Sequence, residues 1–213
     1  MTIKLYCMGE SGNAYKAALT LELAGMDWEP IYVDFFGGET RSPAFREINP
    51  MGEVPVLVDD ELTLTQSGVI QQWVADQTGK LGGKAEDKYE ILRWILFDNH
   101  KVSSQAGVVR FLANFLPEDK RPAGAIPFLQ GRLMAALKTL NAHLDGREWL
   151  VGDGLTIADI ANCGYLFYPE PYGFVRADWP HIDAWLGRIE TTPGWKHPYD
   201  LMPGHPSDRG QGV

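Results

Sequence analysis

Three short stretches of the chain carry residues whose types and spacing could do chemistry. Residues 7–16, CMGESGNAYK, form a polar loop that runs into a helical pattern, with Ser11 and Asn13 at the junction. The first turn of a helix presents unsatisfied N–H groups and a positive dipole end, so donors placed there suit a bound anion. The same residues also serve as ordinary N-caps. Residues 52–68, GEVPVLVDDELTLTQSG, hold the other two stretches. Pro55 lacks an N–H and belongs at a strand start or a free edge. By frequency its bond to Val54 is expected to be trans, since cis accounts for about 5–6% of X–Pro bonds. A cis bond would turn the Val54 N–H and C=O out of the ladder, toward an extended peptide. Gln66 and Ser67 stand where a third helix begins. There the hydroxyl and backbone N–H of Ser67 suit a carboxylate, the Gln66 amide suits an amine or carboxylate, and Ser67 equally suits a plain N-cap.

Other polar groups read as structural. TIADI at 156–160 is a capping box with Thr156 at N-cap and Asp159 at N3, flanked by Leu155 and Ile160 as a hydrophobic staple. His100, His143, His181, His197 and His205 lack metal-ligand spacing, so no metal is expected. The two cysteines, Cys7 and Cys163, offer neither a disulfide framework nor a metal pattern.

The elements that position these groups follow from periodicity. Residues 3–6 alternate as a strand, and Ala14, Ala17, Ala18 and Leu21 share one helical face that Gly25 closes. WEPIYVD reads as a strand, SPAFREINP as a short helix, VPVLVDDELTLT as a hairpin and SGVIQQWVADQTG as a helix. The order βαβαββα implies one right-handed parallel crossover plus an antiparallel hairpin in a four-stranded sheet. TGKLGGKAED then reads as a linker. Beyond it only helical patterns appear: a long one from Tyr89 to about Asn114, one over residues 128–144, then LTIADIANCGYLF and HIDAWLGRIETT. The expected organisation is an α/β domain over 1–79, a linker over 80–87, and an all-helical domain over 88–213 that is loose from about 203.

Bulk properties exclude several classes. The chain has 213 residues, 45% of them hydrophobic, enough for a large core. A net charge of −9 without a basic patch argues against nucleic acid. No run approaches the roughly 20 apolar residues of a membrane span, and the start lacks a secretory signal. A cytoplasmic location with reduced thiols is expected.

In combination, INPMGEVPVL followed by LTLTQSGVI, then LTIADIA and WPHIDAWLGRIETTPGW, resemble a cytosolic glutathione transferase over residues 2 to 200. The loop ESGNAYK is similar to serine-type and bacterial nu-like members, in which a hydroxyl or amide replaces a catalytic tyrosine. The resemblance implies a thioredoxin-like N-terminal domain, glutathione as co-substrate, a homodimer and detoxification chemistry in a bacterial cytoplasm. It implies Ser11 and Asn13 as thiol-activating residues, cis-Pro55 with Val54 pairing to the cysteinyl backbone, and Gln66 and Ser67 holding the γ-glutamyl carboxylate. Ser11 and Ala14 occupy the slots of a glutaredoxin's two cysteines, which excludes self-contained dithiol chemistry. Glu53 stands where relatives carry Lys or Arg, and would repel the glycyl carboxylate unless it points away; Lys16, Arg41 and Arg46 are the nearby cations. By fold analogy the second substrate, a small hydrophobic electrophile or a disulfide, would meet Trp94, Asp98, Asn99, Val102 and Ser103. Two other activities share the pattern: a glutathione-dependent disulfide reductase and a non-catalytic interaction protein.

Overall fold

The computed structural model describes residues 2–206. Two compact units divide the chain: one takes it through Leu81 and again from Pro193, the other takes Gly82–Thr192.

The first unit is built on a mixed sheet in the order β2-β1-β3-β4. Strand β1 (Ile3–Cys7) runs parallel to β2 (Trp28–Tyr32) and antiparallel to β3 (Val56–Asp59), which pairs in turn with β4 (Leu62–Thr65). The alternation Ile3, Leu5, Cys7 is buried, as a one-sided strand requires. Helix α1 (Gly12–Ala24) buries its alanine face and Leu21, and packs against α3 (Ser67–Thr78). Gly25 ends α1 in the left-handed region at φ 75°, where its N–H caps Glu22 and Leu21. Helix α2 (Pro43–Ile48) is capped by Ser42, whose Oγ accepts the Phe45 N–H at 3.1 Å. Phe45 joins Val33 and Val56 in a second small core with Tyr6, Ile48, Val54 and Val58.

In the second unit the long helix expected from Tyr89 is α4 (Lys88–Phe97), a π-helical stretch (Asp98–Ser103) and α5 (Ser104–Asn114) in succession. The wider π turn is stabilised by a bond from the Ser103 hydroxyl to Asp98 Oδ1 at 2.7 Å. Helix α6 (Ala125–His143) buries Leu133, Leu137 and Leu140. Helix α7 (Ile157–Cys163) starts on the expected capping box, and α8 (Pro180–Glu190) buries Ile182, Trp185, Leu186 and Ile189. Asp159 is the hub of this unit. Its carboxylate accepts the Leu150 and Thr156 N–H groups, the Thr156 hydroxyl and the Trp185 indole N–H, all within 3.0 Å. Burial pushes this carboxyl group up, and those four donors push it back.

One boundary differs from expectation. The chain from Pro193 does not continue the helical bundle but packs on the first unit, where α9 (Pro198–Leu201) lies against α1. Its anchors include the Tyr15 hydroxyl donating to the Lys196 carbonyl at 2.9 Å, the Lys196 ammonium donating to Glu22 Oε1 at 2.7 Å, and Gly9 N–H donating to the Pro203 carbonyl at 2.6 Å. Of the stretch expected to be loose from about 203, the chain from 207 onward lies outside the described residues.

Candidate functional site

The sheet register gathers the three chemical stretches. Tyr6 at the C-terminal end of β1 pairs with Val56 at the start of β3, and Val56 pairs with Thr65 at the end of β4. Loop 8–11, the 53–55 turn and the 66–67 corner all leave the sheet just beyond this one cross-strand row. With strands about 4.8 Å apart, the first and third stretches are separated by about 10 Å, with the second between them.

Ser11 sits at the N-cap of α1 with extended backbone (φ −89°, ψ 106°), and its Oγ accepts the Ala14 N–H at 3.1 Å. The capping reading of Ser11 is therefore real. It does not exclude chemistry, because accepting through a lone pair leaves the O–H proton to donate elsewhere. Asn13 is half-buried in the first turn, and its Oδ1 accepts the Lys16 ammonium at 3.1 Å. Neither α1 nor α3 has an acidic residue in its first turn, so no side chain of its own neutralises either positive helix end.

The Val54–Pro55 peptide bond is cis, against its frequency and as the resemblance implied. Among the described residues the Val54 N–H and C=O form no hydrogen bond, and β3 begins only at Val56. The preceding turn depends on Gly52 at φ 67°, where a Cβ would stand 2.8 Å from the Thr40 carbonyl oxygen. Asn49 braces the turn by donating Nδ2–H to the Glu53 carbonyl at 2.8 Å.

The 66–67 corner corrects one detail. Gln66, not Ser67, occupies the N-cap position of α3, and Ser67 is the first helical residue. Gln66 holds φ 69° and ψ 119° without glycine's freedom, a conformation that costs about 1–3 kcal/mol and clusters at functional sites. Its amide nitrogen lies 3.4 Å from both Met51 Sδ and Glu53 Oε2. The Glu53 carboxylate thus turns toward the α3 start. Of the three cations considered as its counterweight, Lys16 is buried beside Asn13, Arg46 bonds the Pro50 carbonyl and Arg41 lies by Gly38.

Cys7 is fully buried in β1, and burial pushes its thiol up to about 12, so it remains protonated and inert. The residues expected around a second substrate lie in the other unit. Trp94 is buried there, its ring 5.1 Å from Phe97 and 4.5 Å from His143. Val102 and Ser103 are buried, and Asn99 is exposed. Two features escaped the sequence reading. The Lys16–Asn13 contact had a signal in its i, i+3 spacing; the Gly9–Pro203 bond had none, being a contact between distant backbone groups. Among the described residues no cluster of His, Cys, Asp and Glu could hold a metal ion, and no helix is long and apolar enough to cross a membrane.

A thioredoxin-like sheet with a cis-proline turn, a hydroxyl in place of a redox cysteine, and a separate helical unit define a thiol-binding class of enzymes. Known proteins narrow it. Residues 1–76 match the glutathione S-transferase N-terminal domain and residues 109–193 the C-terminal domain. Glutathione S-transferase F10 of Arabidopsis thaliana is 28% identical over 196 residues, covering 86% of this chain and 90% of its own. A glutathione S-transferase structure from Xanthobacter autotrophicus is 32% identical with a TM-score of 0.85, covering 94% and 98% of the two chains. A Burkholderia graminis glutathione transferase, solved with two glutathione molecules bound per subunit, is 27% identical with a TM-score of 0.81 over 91% of this chain and 85% of that one. The chain belongs to the glutathione S-transferase family, and its activity is that of a glutathione transferase.

Proposed function

We propose that this enzyme binds glutathione along the row of three stretches and activates its thiol with Ser11 and Asn13. The observation that carries the reading is the Ser11 hydroxyl, anchored by the Ala14 N–H so that its own proton is free, at the end of the sheet where the Val54 backbone is unpaired among the described residues. The extended tripeptide spans about 10 Å, the width from β1 to β4. Its cysteinyl N–H and C=O pair with Val54 as an added strand does. Its γ-glutamyl carboxylate sits on the Ser67 hydroxyl and the N–H groups of the α3 start. The adjacent ammonium meets the Gln66 amide oxygen and Glu53, whose carboxylate faces that corner rather than the glycyl end. A Burkholderia graminis relative solved with glutathione bound supports glutathione as the ligand.

The thiol then lies at the start of α1. A free thiol titrates near 8.5, and lowering it by about two units takes roughly 2.7 kcal/mol. One hydrogen bond to a charged group supplies about 1.5–3 kcal/mol, and the helix end adds about 0.3–1. The thiolate attacks an electrophilic carbon of a small hydrophobic substrate, a C–S bond forms, and the leaving group departs with the electron pair. Measuring the thiol pKa of bound glutathione, together with turnover of a chloronitrobenzene against a mixed disulfide, tests this. A thiol depressed by one to two units with faster arylation is expected; an unshifted thiol refutes it, and faster disulfide reduction assigns the reductase activity instead.

We also infer a homodimer in a bacterial cytoplasm, acting in detoxification. Tyr89, Leu92 and Leu96 form an exposed apolar stripe on α4, and Met51 and Val69 are exposed in the first unit. Such faces fit a second copy, and Leu96→Glu is expected to yield monomers by size-exclusion chromatography.

A further inference from the structure

Lysine is almost never fully buried unless it is paired, and Lys16, 1% exposed on α1, is paired. Its Nζ donates to Asn13 Oδ1, one helical turn back. Its backbone is fixed as well. The Thr20 hydroxyl donates to the Lys16 carbonyl at 2.7 Å, and Thr20 Oγ1 accepts from Gln71 Nε2 of α3 at 3.2 Å. The contact therefore sits in a braced segment and not on a mobile surface arm.

Its chemistry has one direction. An ammonium only donates, so the Asn13 amide must turn its oxygen to Lys16, which turns the Nδ2 group and both its protons the other way. Among the described residues that nitrogen donates to no other group. A cation on the carbonyl side also draws electron density from the amide and strengthens its N–H donors.

We propose that Lys16 is a positioning residue that locks and polarises Asn13 so that its Nδ2–H points at the glutathione thiolate. The inference rests on the glutathione-activating reading above and deepens it, since it assigns Asn13 a fixed donor orientation and Lys16 a role through it. Lys16 itself does not touch the thiol.

The test is the thiol pKa of bound glutathione, read by thiolate absorbance and by the pH profile of kcat/KM, in Lys16→Met, Lys16→Arg, Asn13→Ala, Asn13→Asp and the Lys16→Met/Asn13→Ala pair. Thermal melts confirm folding. Lys16→Met is expected to raise the pKa by about one unit, leaving KM for glutathione within about twofold, and Lys16→Arg to restore it. In the Asn13→Ala background the same change is expected to add nothing. Asn13→Asp keeps a partner for Lys16 and so keeps the helix start folded, but it removes the donors, so its pKa should rise at least as far as that of Asn13→Ala. A low pKa in Asn13→Asp overturns the proposal even if Lys16→Met does not fold. An unchanged pKa in folded Lys16→Met makes Lys16 merely structural. An equal shift in the Asn13→Ala background means that it acts directly on the thiol. A wild-type thiol at its free value refutes both this inference and the functional reading, whereas a depressed wild-type thiol unmoved by these variants refutes this one alone.

Discussion

Ser11→Gly separates the two jobs of one hydroxyl. Ser11 Oγ accepts the Ala14 N–H, so its removal threatens the helix as well as the thiolate. Glycine caps almost as well as serine, losing a few tenths of a kcal/mol, whereas alanine loses about 1 kcal/mol. Neither offers an O–H. A hydrogen bond to a charged acceptor is worth about 1.5–3 kcal/mol, which corresponds to about one to two pKa units. Both variants should therefore raise the bound thiol by about one to two units, and lower turnover at pH 7 about 3- to 25-fold through the smaller thiolate fraction. They should differ in stability: Ser11→Ala is expected to melt about 2–4 °C below wild type, and Ser11→Gly much closer to it. Thiolate absorbance against pH, with differential scanning fluorimetry on the same samples, reads both quantities. If Ser11→Gly keeps a depressed thiol, Ser11 is a cap and nothing more, and activation passes to Asn13. If Ser11→Gly and Ser11→Ala are equally unstable, the capping assignment is wrong.

Asp159→Ala orphans the Leu150, Thr156 and Trp185 N–H groups inside the helical unit, and should cost about 3–5 kcal/mol in urea unfolding against about 1 for Thr156→Ala. Cys7 should resist aromatic disulfide reagents at pH 8 until the protein unfolds. Its folded pKa, near 12, is raised above the ordinary 9.0, so the stability it contributes is intact below pH 9 and is lost as pH rises toward 12; Cys7→Ala should show a shallower alkaline loss. Glu53→Gln should raise KM for glutathione about two- to fivefold with kcat unchanged, whereas a fall in KM would mean that Glu53 repels the glycyl carboxylate after all.

Local rules made the first unit legible. The apolar alternation of Ile3, Leu5 and Cys7, the alanine face of α1 and the stop at Gly25 each follow from nearest-neighbour chemistry, and the structure keeps all three. Residue frequency misled at Pro55, whose cis state is set by its surroundings and not by the dipeptide. The π stretch at Asp98–Ser103 was hidden because its residues satisfy an α-helical pattern equally well; it carries a local i, i+5 bond from the Ser103 hydroxyl to Asp98. Trp94 shows a related limit, since an apolar helix face does not say whether it meets a ligand or a core. The return of the chain from Pro193 to the first unit left no local trace.

The site itself follows an economy that the sequence shows only in part. A helix N-terminus needs a cap and a thiolate needs a donor, and on the proposed reading one serine hydroxyl serves both, accepting along one direction and donating along another. The same division recurs at Asn13, whose oxygen faces Lys16 while its nitrogen faces away. At Asn13 the planar amide fixes the donors once the oxygen is tied, and at Ser11 the Oγ is held in place while its O–H turns to meet an acceptor. That is what preorganises a site toward a developing anion: reorganisation is completed on folding, before the substrate arrives. On the proposed reading the first turn of α1 acts as one unit. Substitutions at Ser11, Asn13 and Lys16 should be coupled within it, and independent of the Gln66–Glu53 corner at the far end of the peptide site.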